Sequence, residues 1–227
     1  FLFTIKEKVF NKTNKTYNFY SYGQIIRNKK PEISGFYILH EGPIATLDDQ
    51  LIEEDYDDLV DEKFVKNSSK GWLGIGDKYW ITSIVPPRNK EFKTTFDYKN
   101  KFRVNYISRE GIEAGPNDTI EEEIQIIVAA KKVETIDGYS ENLKIDKFDL
   151  VIDWGMLYFL TKPLFFAIDY FFKLVGNYGV AIILVTVCIR LIFFPLASFS
   201  FRSMGKMKLL QPEMTRLKEL HKDDKMK

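Results

Sequence analysis

The chain has 227 residues, enough for one sizeable core or for a domain with an appendage, and its 45% apolar and 29% charged residues are ordinary for a globular protein. Its lone cysteine, Cys188, excludes an internal disulfide framework, so any domain outside the cytoplasm is held by its core alone. The net charge of +1 and mean hydropathy of −0.21 hide two unlike regions: residues 1–153 are rich in Lys, Glu, Asp, Asn and aromatics, whereas 154–201 are dominated by Leu, Ile, Val and Phe.

The chain opens on Phe1, without Met or a signal sequence, which leads to the expectation of a piece of a longer, exported protein. Residues 1–150 are expected to be mostly β. Runs 1–10 and 17–26 flank Asn-Lys-Thr-Asn-Lys as a predicted hairpin, and further strands are predicted over 35–39, 79–85, 91–98, 102–108 and 119–129. Many short strands at this spacing favour a sandwich over a parallel α/β sheet. A short helix is predicted over 134–142. Residues 41–62 hold ten carboxylates and no Lys or Arg. They lack the Asp-x-Asp-x-Asp-Gly pattern of a calcium loop, so a solvated loop or short surface helix is expected, a divalent-metal loop being the alternative.

From Trp154 the period changes. If 157–175 is helical, Tyr158, Lys162, Asp169 and Lys173 share one narrow stripe, while Phe159, Leu164, Phe165, Phe166, Ile168, Phe171, Phe172 and Leu174 cover the rest. Pro163 is expected in a first turn, where its missing N–H is not needed. A thin polar stripe on a broad aromatic surface, with Trp154 and Tyr158 at one end, predicts a helix lying in a membrane interface; a buried soluble helix is the alternative.

Gly176-Asn177-Tyr178-Gly179 reads as a turn into the bilayer. Residues 180–201 are then apolar except for Thr186, Arg190, Ser198 and Ser200. As a helix they measure about 33 Å, matching a hydrocarbon core of roughly 30 Å. Arg190 is the eleventh of these 22 residues. An arginine there costs on the order of 2.5–3.5 kcal/mol and is tolerated mainly facing protein or a wet cavity. Thr186 lies one turn earlier on the same face, so the pair marks a polar lining. The alternative is an Arg190 that pairs with a carboxylate of another helix and only holds a bundle together.

Arg202, Lys206, Lys208, Arg216, Lys218 and Lys222 follow the span, against Lys162 and Lys173 before it, so the positive-inside rule puts the C-terminus in the cytoplasm. In the tail, Met207, Leu210, Met214 and Leu217 form one apolar seam able to pair with a partner helix. Pro212 is expected to break or kink it. The basic residues also suit anionic lipid head groups or RNA.

Asp153-Trp154-Gly155-Met156-Leu157-Tyr158-Phe159 and Lys162-Pro163-Leu164-Phe165 resemble the start of the insertase domain in the YidC/Oxa/Alb family of membrane protein insertases. The resemblance continues through Val175-Gly176-Asn177-Tyr178-Gly179, Thr186-Val187-Cys188-Ile189-Arg190-Leu191-Ile192-Phe193-Phe194-Pro195-Leu196 and Met204-Gly205-Lys206-Met207-Lys208-Leu209-Leu210-Gln211-Pro212. Upstream, Gly71-Trp72-Leu73 and Trp80-Ile81-Thr82-Ser83-Ile84-Val85-Pro86 look like marks of its periplasmic domain.

The resemblance implies a Gram-negative-type insertase of the bacterial inner membrane. It implies a periplasmic β supersandwich over 1–150, an interfacial helix and turn over 151–178, a transmembrane helix over 179–201 and the beginning of a cytoplasmic helical region over 202–227. It also implies no catalytic residue, cofactor or metal, and a hydrophilic groove in which Arg190 and Thr186 meet a client's polar segment. Trp154, Tyr158, Lys162 and Lys173 would belong to the interface helix, and Lys206, Lys208, Gln211 and Pro212 to the cytoplasmic segment. The implied partners are nascent membrane proteins, the Sec translocon, ribosome or targeting factors, and the lipid bilayer.

The family's supersandwich is related to sugar-binding enzymes, but fold alone carries no activity, and His40 beside Glu41 forms no acid/base pair in the sequence. The family's anchor helix and four further spans are not in this sequence, so one wall of the groove is expected here. A single-span scaffold or receptor, and a subunit of a channel or transporter, remain alternatives; the first needs no Arg190 and the second predicts ion or solute flux. The β domain is expected to be largely dispensable for insertion, because the implied chemistry lies in 154–220.

Overall fold

The structure, a computed structural model, describes residues 1–32 and 40–220. The strand predicted over 35–39 lies outside them. Two compact units are present, Phe1–Asp153 and Trp154–Lys227.

The first unit is a two-sheet β sandwich, as the strand spacing predicts. Its strands are β1 (Leu2–Phe10), β2 (Tyr17–Phe19), β3 (Tyr22–Arg27), β4 (Gly42–Leu47), β5 (Gln50–Glu53), β6 (Phe64–Ser68), β7 (Gly71–Gly76), β8 (Trp80–Val85), β9 (Phe92–Tyr98), β10 (Phe102–Ser108), β11 (Ile112–Ala114) and β12 (Thr119–Ala130). One helix, α1 (Asp58–Asp61), interrupts them, a second, α2 (Val133–Asn142), follows β12, and a 3-10 turn closes the unit at Phe148–Val151.

A six-stranded sheet runs β1-β12-β8-β7-β4-β5 and a four-stranded sheet β3-β10-β9-β6, while β11 and β2 form a separate pair. The sheets meet through one core: Leu47, Leu73, Ile75 and Ile84 from the larger pack with Phe92, Phe96, Val104 and Tyr106 from the smaller. A second core fills the other face of the larger sheet, where Trp72, Ile81, Ile127 and Ala129 meet Ile136, Ile145 and Phe148.

This double covering explains what the sequence hides. β9 and β10 alternate inward and outward residues, and their predicted ranges hold. β4 is buried at all six positions and β7 at five of six, so neither shows a period of two. Residues 41–62, expected as a surface loop or helix, therefore contain a buried strand of the larger sheet; only Asp58–Asp61 is the short helix. No grouping of three or more metal-ligating side chains exists among the described residues.

The predicted hairpin of 1–10 with 17–26 does not form. β1 pairs with β12, in register from Leu2↔Ile127 to Phe10↔Thr119, whereas β2 pairs with β11 and β3 with β10. Two ion pairs favour this register, Lys6 with Glu123 at 3.4 Å and Lys8 with Glu121 at 2.5 Å. Asn11 then sends the chain away: its carboxamide NH2 donates to the carbonyls of Lys15 (2.7 Å), Ala114 and Gly115 (both 2.9 Å). A segment held to the β11–β12 turn cannot close a two-strand hairpin.

The second unit consists of α3 (Tyr158–Val175) and α4 (Tyr178–Leu220). Gly176, at φ 72, ends α3 in the left-handed conformation that glycine adopts without strain. Asn177 starts α4: its Oδ1 accepts from the backbone N–H of Gly179 (2.9 Å) and Val180 (3.3 Å). Pro163 is the sixth residue of α3, a turn later than the sequence suggested, so the Phe159 carbonyl loses its usual donor. α4 runs unbroken through Pro195 and Pro212, contrary to the break expected at Pro212. Each proline removes one N–H; the remaining bonds of a 43-residue helix carry it across the gap.

Candidate functional site

α4 is long and apolar enough to cross a membrane over Tyr178–Arg216, and little of that stretch is buried. The core helix of a soluble protein buries such a surface; here Ile182, Ile183, Leu191, Ile192, Phe193 and Phe194 are all exposed. α3 and α4 pack at their shared end, where Phe172 stacks on Tyr178 with ring centroids 4.0 Å apart and Ala181 and Val185 are buried.

Thr186 and Arg190 are both exposed. At about 100° per residue, they lie some 140° round the helix from Ala181 and Val185, so their face points away from the packed one. The Thr186 hydroxyl donates to the Ile182 carbonyl at 2.8 Å, which satisfies it inside an apolar helix without a second chain. Because α4 is continuous, Ser200, Lys208 and Gln211 return to within about 80° of the same line, with Phe193, Ala197 and Met204 between them. Lys206, Lys208, Gln211 and Pro212 are exposed, and Lys206 lies about 24 Å along the axis from Arg190.

At the start of α3 the structure brings three predicted residues together. The Lys162 ammonium sits 5.9 Å from the Trp154 ring centre and 5.5 Å from that of Tyr158. It also donates to the Tyr158 hydroxyl at 3.3 Å. Trp154 meets Tyr158 edge-on at 6.4 Å and Phe165 at 5.6 Å. Lys173 pairs one turn back with Asp169 at 2.7 Å. The predicted stripe is thus two local clusters, at 154–162 and 169–173. The capping role of Asn177 goes beyond the turn expected at 176–179, although an Asn directly before an apolar helical run is its signal.

In the β domain, the His40 ring nitrogens face the Pro43 carbonyl at 3.2 Å and the Asp55 carboxylate at 3.8 Å. Burial pushes the Glu53 carboxyl up and holds the Lys131 amine below the usual lysine range.

Residues 1–167 match the family described as the YidC periplasmic domain, and 170–227 match the family described as 60Kd inner membrane protein. Three relatives are named membrane protein insertase YidC. That of Pelagibacter ubique is 72% identical over all of this chain and 41% of its own length. That of Brucella suis is 40% identical over all of this chain and 38% of its own length, and that of Rickettsia bellii 41% identical over 99% and 41%. The chain thus spans about two fifths of the length of the curated relatives it matches. With its sandwich matched in full and its apolar helix matched beyond it, the chain belongs to the YidC family.

Proposed function

We propose that this chain carries the periplasmic β domain, the interfacial helix and one groove-lining helix of an inner-membrane protein insertase. The observation that carries this reading is an exposed arginine, Arg190, one turn from Thr186 on an apolar helix, on the face turned away from the helix pair's own packing. A guanidinium facing lipid is costly, so the face belongs to a wet cavity completed by further helices. There it receives the polar, often acidic, tail of a nascent membrane protein, which keeps water and a counter-charge while its apolar helix slides into lipid.

Trp154, Tyr158 and Lys162 suit the head-group level, where an amphipathic ring pair and a cation are all satisfied. Lys206, Lys208, Gln211 and Pro212 fall on the cytoplasmic side, open to ribosome or targeting factors, and lateral release beside the Sec translocon is compatible with the groove. The β domain lies in the periplasm.

The test compares Arg190→Lys, Arg190→Glu and Arg190→Ala in the complete parent protein, reading insertion of a client with an acidic N-terminal tail. Insertion by Lys with failure of Glu and Ala, at equal levels of folded protein, is the expected result. Normal insertion by all three overturns the role of Arg190 and returns the chain to a single-span scaffold.

A further inference from the structure

α4 carries Arg190 in its apolar stretch and then three more cations, Arg202, Lys206 and Lys208, all of them exposed. The positive-inside rule treats these three alike, because it asks only how many there are. The helix does not. At about 100° per residue, Lys208 returns to the Arg190 line after about five turns, whereas Arg202 and Lys206 stand some 120° and 160° away from it. Of the three, Lys208 alone shares the face that turns away from Ala181 and Val185. From Tyr170 through Pro212 the sequence has no Asp or Glu, so nothing acidic lies between Arg190 and Lys208 on this helix.

The two cations lie about 27 Å apart along the axis. Exposed charges are screened over about 8 Å at physiological salt, so each attracts a carboxylate independently of the other. At Lys208, in water, that attraction is weak and easily broken. Such a contact raises the rate of encounter without holding the ligand there. Lipid head groups surround a helix on every side, so they give Arg202, Lys206 and Lys208 equal weight. The phase of Lys208 matters only to a ligand confined to the Arg190 face.

We propose that Lys208 is the outer capture point of the groove: it draws the acidic tail of a client onto the Arg190 face before Arg190 receives it. The inference rests on the reading of Arg190 as the groove cation. On that reading a client tail comes from the cytoplasmic side and passes Lys208 first. Lys208 thereby favours clients with acidic tails, while Arg202 and Lys206 serve only the charge balance of the span.

The test uses the complete parent protein in proteoliposomes of phosphatidylcholine and phosphatidylglycerol, read by the initial rate of insertion of a ribosome-free client. The client carries Glu in its N-terminal tail, or Gln at the same positions. Both forms are read on one preparation, so the ratio of their rates decides whatever fraction is folded. Lys208→Gln is expected to slow the Glu client about threefold relative to the Gln client at low salt, the effect of one exposed charge pair. The deficit should fade as salt rises, and Lys208→Arg should restore the ratio. Arg202→Gln, nearer to Arg190 but off its line, should leave the ratio unchanged. An unchanged ratio in Lys208→Gln overturns the proposal, and so does an equal change in Arg202→Gln. Arg190→Ala, run alongside, separates the two readings. If it blocks the Glu client while Lys208→Gln has no effect, the capture point alone fails; if it inserts that client normally, groove cation and capture point fall together.

Discussion

The indole of Trp72 meets the ring of Phe148 edge-on, with centroids 5.1 Å apart and planes inclined at 74°. Both side chains are fully buried. The contact ties β7 to the closing 3-10 turn, and Tyr139 of α2 joins it at 6.4 Å from Phe148. This is how the outer face of the large sheet gains its second core. The Trp72 Nε1 is buried with no acceptor among the described residues, so what the residue contributes is packing.

Trp72→Ala and Phe148→Ala are each expected to destabilise the β domain by about 3–5 kcal/mol, the usual range for emptying an aromatic site. The double variant should lose less than the sum, because each single variant already removes the shared contact. Urea unfolding followed by near-ultraviolet circular dichroism checks both points. Strict additivity would show that the two rings do not act as a pair.

Gly71 sits at φ 135, and a Cβ there would lie 1.8 Å from the backbone oxygen of Thr46. Neither the conformation nor the space admits another residue. Gly71→Ala should therefore separate β7 from β4 at the Leu47↔Gly71 end of their register, with loss of the folded domain or a large fall in melting temperature. A variant melting within about 2 °C of the parent would refute the close approach of the two backbones.

Burial pushes the phenols of Tyr56 and Tyr106 up to about 12, and for Tyr106 a 2.8 Å hydrogen bond with Ser21 offsets part of that rise. A raised folded-state value means that ionisation is resisted in the fold and easy in the unfolded chain. The stability from each phenol is full below about pH 10 and is lost as pH climbs from there towards 12. Tyr106→Phe is expected to flatten this alkaline loss while costing about 1 kcal/mol at neutral pH, where Ser21 loses its partner. An unchanged slope between pH 10 and 12 would rule Tyr106 out as a contributor.

Asn177 accepts from two backbone N–H groups that no residue of α4 can reach. Asn177→Ala should cost about 1 kcal/mol and speed hydrogen exchange at the first turn of α4, whereas Asn177→Asp should keep the cap. Equal protection in the Ala variant would mean that the turn, and not the side chain, fixes where the helix begins.

Elements whose environment has two sides are legible from local pattern. β9, β10 and β12 each set polar against apolar faces, and α2 and α3 carry helical spacing, so local pattern is enough to place them. Arg190 and Thr186 were legible for a related reason, since a polar residue in an apolar run stands out whatever surrounds it. Tertiary structure alone decided the rest. β4 and β7 are covered on both faces, so the alternation that marks a strand is absent from their sequences. β1 chose β12 over its neighbour because Asn11 and two ion pairs act across more than a hundred residues, beyond the reach of any local pattern. Pro212 removes one hydrogen bond but does not stop α4, because the bonds on either side of it are kept.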